Sequence, residues 1–138
     1  MGHWGVKSYE NDDAGDALDA GFEAVHGDVY DDLMDDGNPL TPEQVQARLA
    51  NPETLAKALG SLADAVGLPI EEWDEAANLA YAGIVVRHVE LEVPLSAAIR
   101  DRALTLLRDE PIEWEEATTR RLRRDKEIRL LDSAKLEG

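Results

Sequence analysis

Ala76-Ala77-Asn78-Leu79-Ala80-Tyr81-Ala82-Gly83-Ile84-Val85-Val86 is the stretch whose assignment decides the architecture of this chain, because it runs for eleven residues without a charge. On composition alone, residues 79–86 pass for a buried strand. Length separates the two readings: buried strands run four to eight residues and helices ten or more. The apolar pattern here extends from about Glu71 to Val89, and the interspersed alanines are strong helix formers. The segment is therefore read as a helix. A helix that is apolar on most of its sides belongs at the centre of a core.

Outward from that centre, the flanking segments carry helix punctuation. Asn11 precedes Asp12-Asp13-Ala14, an N-cap followed by acids that suit the positive end of a helix dipole. Ala14, Leu18, Phe22 and Val25 then recur at helical spacing, His26-Gly27 closes the helix, and a short second one covers residues 29–34. Asp35-Asp36-Gly37-Asn38-Pro39 is a loop. Thr41-Pro42 and Asn51-Pro52 each place a cap before a first-turn proline. Leu55, Leu59, Leu62 and Val66 form the next stripe, ended by Gly67-Leu68-Pro69. Beyond Pro94, the residues Leu95, Ile99, Ala103, Leu106 and Leu107 mark another amphipathic helix. Pro111 opens the last one, with Trp114, Ala117, Leu122, Ile128 and Leu131 as its apolar positions. Between residues 118 and 127 only Leu122 is apolar, so residues 119–138 read as an exposed or partner-facing helix. The expected fold is all-α: one domain over residues 1–138, a compact bundle or array of about five to six helices with a C-terminal charged helix. Pro69-Ile70-Glu71-Glu72-Trp73 and Pro111-Ile112-Glu113-Trp114 echo each other, but two copies of a generic helix opening do not make a solenoid.

Charge narrows the functional classes. The chain of 138 residues has 30 acidic and 14 basic residues, a net charge of −16. Such a surface repels phosphate backbones and anionic headgroups, so neither nucleic acid nor membrane is an expected partner. No apolar run approaches the length of a membrane span, and the N-terminus lacks the basic and apolar regions of a signal peptide. With zero cysteines, thiolate sites and disulfides are absent, and a cytoplasmic protein is expected. The charge is uneven. Residues 1–36 are net −10, whereas residues 120–138 carry seven basic and four acidic residues. That basic tail either lies against the acidic N-terminal part, within one chain or across a dimer, or forms a solvated helix face with local ion pairs.

The N-terminal segment carries a family resemblance. Trp4, Gly5, Tyr9, Asn11, Asp12, Asp13, Ala14 and Asp16 follow a pattern of Trp-Gly, a spacer, an aromatic, then Asn-Asp-Asp-Ala-x-Asp. This resembles the opening of an uncharacterised bacterial family, a domain of unknown function; Ala17 stands where that pattern has a tryptophan. The resemblance implies a small helical bacterial protein with no established activity. Read from the residues, the motif either builds the fold, with Asn11 as cap and Trp4 and Tyr9 docking the arm, or binds a partner.

Catalytic signatures are missing. No nucleophile elbow, P-loop or dinucleotide fingerprint occurs, and Ser8, Ser61, Ser96 and Ser133 have no histidine at a motif spacing. No catalytic or cofactor-binding residue and no cofactor is assigned. A calcium loop would use Asp32, Asp36, Gly37 and Glu43, but Met34 and Pro39 break its pattern. Candidate carboxylate–histidine metal ligands are Asp12, Asp13, Asp16, Glu23, His26 and His88, with one Glu-x-x-His pair at Glu23–His26 and no second. Partner-binding candidates are Trp4, Tyr9, Arg120, Arg121 and Arg124. The favoured reading is an acidic helical protein–protein interaction module: an adaptor, an inhibitor or immunity-like protein, or a self-associating subunit. A metal-binding helical protein and an enzyme using carboxylate acid–base chemistry are the alternatives.

Overall fold

The uncharged stretch forms α5 (Glu75–Glu90), and its middle, residues 80–86, is buried along its whole length. The computed structural model describes residues 7–34, 41–112 and 117–136. Around α5 stand α1 (Asp12–His26), α2 (Asp28–Leu33), α3 (Pro42–Leu49), α4 (Pro52–Val66), α6 (Ala97–Arg108) and α7 (Ala117–Asp132), with no strand among the described residues. The all-helical class expected from the sequence is what the chain adopts. The described α-helices number seven, against the five to six expected.

Side-chain caps fix most of the helix starts. Asn11 accepts from the Ala14 N–H at 2.8 Å, Asp74 from the Ala77 N–H at 2.9 Å and Ser96 from the Ile99 N–H at 3.2 Å. Thr41 with Gln44, and Asn51 with Thr54, make reciprocal capping boxes, each ahead of a first-turn proline. These bonds satisfy backbone donors that have no partner inside the helix.

Capping also accounts for two differences from the expected boundaries, and a third lies at the last helix. Residues Ile70–Glu72 form a 3-10 turn and Trp73 is extended, so the central helix begins after Asp74 rather than at Glu71. Leu95 precedes the Ser96 cap and lies outside α6; its N–H donates instead to the Lys135 carbonyl at 2.8 Å. Pro111 and Ile112 are not helical, and the last helix is described from Ala117.

The core joins Ala14, Leu18 and Phe22 of α1 to Leu55, Ala58 and Leu62 of α4, the middle of α5, and Leu104 and Leu107 of α6. Each large buried aliphatic side chain contributes about 1.5–3 kcal/mol. Alpha1 and α4 approach closely at Gly21, where a Cβ would sit 2.8 Å from the Ala58 Cβ and the Thr54 carbonyl oxygen. In contrast, α7 gives this core only one fully buried side chain, Leu131. Leu122 is 68% exposed, while Arg120, Arg123 and Glu127 take the buried positions. The expectation that residues 118–127 bury little is therefore corrected. The helix does dock, through charged side chains as well as through Leu131, Ile128 and Leu130.

Candidate functional site

Six charged groups occupy the seam between α5, α6 and α7, three guanidiniums and three carboxylates. Arg120 donates from Nε and Nη2 to both oxygens of Glu110, at 3.0 and 2.6 Å, and from Nη1 to Glu127 at 2.9 Å. Arg123 donates from Nε to Glu127 at 3.1 Å and from Nη2 to Glu90 at 2.9 Å. Arg87 lies 3.6 Å from Glu90 and donates through Nε to Gln46 at 2.8 Å. The set is neutral as a whole. Burial opposes the charge on Arg120 and Arg123, and the carboxylates facing them more than offset that opposition. Burial also pushes the Glu90 carboxyl up, but hydrogen bonds from Tyr9 and Arg123, with the charges of Arg123 and Arg87, leave it below its usual range.

The N-terminal arm, residues 7–11, threads into this seam. Both the backbone N–H and the hydroxyl of Ser8 donate to one oxygen of Glu127, at 2.9 and 2.8 Å. The Tyr9 hydroxyl donates to Glu90 at 2.6 Å. Burial, then that bond, holds the phenol well above its usual range. Asn11 secures the arm from its other end, donating to the Ser8 carbonyl at 2.7 Å. The arm fits because α5 has a glycine beneath it. A Cβ on Gly83 would lie 2.3 Å from the Ser8 carbonyl oxygen, so only the missing side chain allows the crossing.

Beside the arm opens a cleft of about 380 Å³. Lys7, Tyr9 and Glu10 of the arm form one wall and Asp12, Asp16, Leu18 and Asp19 of α1 another; Met34, then Glu43 and Gln46 of α3, and Arg87 of α5 complete it. From its rim the exposed carboxylates continue along α1 and α2 as Asp12, Asp13, Asp16, Asp19, Glu23, Asp28, Asp31 and Asp32. Among the described residues, the ion pairs lie on α5, α6, α7 and the residues just beyond α6, and none uses an α1 or α2 carboxylate. Asp19 accepts the Tyr30 hydroxyl.

The sequence-derived candidates are scattered. Asp12, Asp13, Asp16 and Glu23 are exposed on α1. His26 Nε2 lies 2.7 Å from the Leu49 carbonyl oxygen. His88 is fully buried: its Nδ1 donates to the Ile84 carbonyl at 2.9 Å, and its Nε2 meets Thr54 Oγ1 at 2.9 Å. Burial above all pulls the imidazole down to about 4, so it is neutral and core-bound. Among the described residues no three histidine, aspartate or glutamate side chains gather as a metal set. Of the calcium-loop candidates, Asp36 and Gly37 lie outside the described residues, as does Trp4.

The partner-facing arginines divide. Arg121 is exposed, and Arg124 is half-buried with Nη1 on the Glu110 carbonyl at 3.2 Å. Arg120 is fully enclosed by its carboxylates and is no surface contact, which corrects its expected role. The basic tail does meet the arm, through Ser8 on Glu127, but its arginines pair with Glu90, Glu110 and Glu127 rather than with the acids of residues 1–36. Glu110 and Glu127 were not singled out from the sequence. The one available signal was the i, i+3, i+7 spacing of Arg120, Arg123 and Glu127 on a single helix face.

Comparison with protein-family models, with curated proteins and with solved structures finds no match in any of the three. No helix of the described residues is long and apolar enough to cross a membrane.

Proposed function

We propose that this chain is an acidic helical protein–protein interaction module that receives a lysine- or arginine-rich segment of a partner along α1, α2 and the cleft beside the arm. One observation carries the reading. The buried cations are matched by buried carboxylates, while the α1–α2 carboxylates stand exposed and, among the described residues, form no ion pair. Like charges so closely spaced repel one another and weaken the fold. A partner of opposite charge relieves that repulsion and gains directional contacts in the cleft. Leu18, Met34 and the Tyr9 ring supply apolar surface on which the aliphatic stem of a long cationic side chain can lie.

The same charge argues against nucleic acid as the partner, and the absence of cysteine fits a cytoplasmic setting. The bacterial family that the arm motif resembles has no established activity and adds no competing reading. The metal alternative has no gathered donor set to rest on among the described residues.

Titration calorimetry with a lysine-rich peptide tests the proposal. Binding is expected to weaken steeply with salt. It should be lost in the triple variant Asp12→Asn/Asp16→Asn/Asp19→Asn, and kept in Glu53→Gln/Asp64→Asn/Glu92→Gln, which lowers the net charge equally elsewhere. Equal binding by the two triple variants, or none by the wild type, would refute it.

A further inference from the structure

We infer that the N-terminal arm and α7 form a single latch that docks and releases as a unit, and that its docked state builds the cleft; the second half rests on the interaction reading above. The inference starts from what holds α7 in place. Its fully or nearly buried residues are Arg120, Arg123, Glu127 and Leu131, with Ile128 and Leu130 half-buried against the core, so charged side chains make up most of what it buries completely. The contacts among α1, α4, α5 and α6 are instead dominated by apolar side chains. A charged seam and an apolar seam separate at different cost. Removing one member of a buried ion network strands the others and is strongly destabilising, whereas separating the whole network into water rehydrates every charge at once. Desolvation therefore cancels much of the attraction across the seam. Alpha7 is held less firmly than α1, α4 and α5 hold one another, and it separates with its network intact in composition: Arg120, Arg123 and Glu127 on one side, Arg87, Glu90 and Glu110 on the other.

The arm bonds on both sides of the seam, through Tyr9 to Glu90 of α5 and through Ser8 to α7. Ser8 gives both its donors to Glu127, which belongs to α7. If α7 leaves, those donors lose their acceptor, and Glu127 loses its contacts to the arm. Each element completes the other's hydrogen bonding, which makes their docking cooperative. The arm also carries Lys7, Tyr9 and Glu10, one wall of the cleft. Release of α7 therefore dismantles that wall, and a ligand seated in the cleft favours the docked latch. Two sites on different elements are then linked through one two-state unit, with reciprocal effects on each other.

Amide hydrogen exchange on the whole chain reads this directly. Amides of residues 8–11 and of α7 are expected to share one opening, faster than that of α5. In Ser8→Ala, which removes one hydrogen bond to a charged acceptor and little else, both segments should exchange roughly tenfold faster or more while α4 and α5 are unchanged. Acceleration of only one segment, or protection of α7 equal to that of α5, overturns the latch. The lysine-rich peptide should slow exchange in α7 as well as in the arm. Binding without protection of α7 overturns the linkage while leaving the interaction reading intact. Failure of the peptide to bind overturns the interaction reading and the linkage together, while a shared response to Ser8→Ala still supports the latch.

Discussion

Gly83→Ala sets two effects of opposite sign against each other, and the arm's position decides which wins. In an exposed helix interior, replacing glycine with alanine stabilises by about 0.8–1 kcal/mol. Gly60 of α4 is such a site, where an added methyl would have nothing within 4 Å. Gly83 is not. Its Cβ would lie 2.3 Å from the Ser8 carbonyl oxygen, 2.5 Å from the Ser8 carbonyl carbon and 2.7 Å from the Tyr9 Cα. These are backbone atoms that no rotamer change removes, so the arm must move by about 1 Å to regain an ordinary contact. That shift carries the Ser8 N–H and hydroxyl, now 2.9 and 2.8 Å from Glu127, past hydrogen-bonding range. Two hydrogen bonds to a charged acceptor are worth about 1.5–3 kcal/mol each. Setting the helix gain against their loss leaves Gly83→Ala destabilised by about 2–5 kcal/mol, bounded above by the docking free energy of the latch. Urea melts followed by circular dichroism measure it. With a slope near 2 kcal/mol/M, the midpoint falls by about 1–2.5 M in Gly83→Ala and rises by about 0.5 M in Gly60→Ala. A Gly83→Ala midpoint at or above the wild-type value would show that the arm does not cross α5 there.

Other outcomes follow from the buried charges. His88 is depressed from its ordinary value to about 4, so the unfolded chain binds its proton first as the pH falls. Stability is then complete above about pH 6.5 and declines toward pH 4 by about 3 kcal/mol; urea midpoints across that range should slope in the wild type and flatten in His88→Gln. Glu90 adds a loss of the same sign at lower pH, because its folded form holds the proton less readily than the unfolded chain does. Arg120→Met strands Glu110 and is expected to reduce stability by about 3–5 kcal/mol, whereas Leu122→Ala, at a side chain 68% exposed, should stay within about 0.5 kcal/mol. Thermal melts of the two variants check the ranking, and a larger loss in Leu122→Ala would reverse the account of α7. Tyr9→Phe removes the donor to Glu90 and should lower the midpoint by the equivalent of about 1–2 kcal/mol in the same urea assay.

The helices were legible because their signals are local. Asn11, Thr41 and Asn51 announce their helices within three residues, and the pairs that fulfil them are three apart in sequence. The uncharged stretch in α5 named the centre of the core for a similar reason, since one element's own composition required burial. What sequence periodicity misread was α7. Hydrophobic patterning assumes that a helix docks by its apolar face, and here the docking face carries Arg120, Arg123 and Glu127 while the lone leucine of that stretch faces out. The acceptors that make this possible are Glu90 and Glu110, 33 and 10 residues away from their arginines. The arm's bond to Glu127 spans 119 residues. Nothing in a local pattern distinguishes those glutamates from the many solvated ones.

Two sets of carboxylates consequently have separate tasks in this molecule. Glu90 of α5, Glu127 of α7 and Glu110 just beyond α6 face arginines in a neutral seam, where each charge has a partner and little is offered to the outside. The carboxylates of α1 and α2 face water and, among the described residues, form no ion pair, so their mutual repulsion is a standing opposition to folding that the apolar α1–α4–α5 core must exceed. An arrangement of this kind persists more readily if the surface charge is used for contact, because surface substitutions that would relieve the repulsion are individually mild. The arm joins the two regions: Ser8 and Tyr9 end on buried glutamates, and the next residues open the acidic helix at Asn11 and Asp12. A ligand gripping the acidic face must pull on, or settle against, the same short segment that secures α7, so recognition at that face and the closure of the fold are bound to affect one another.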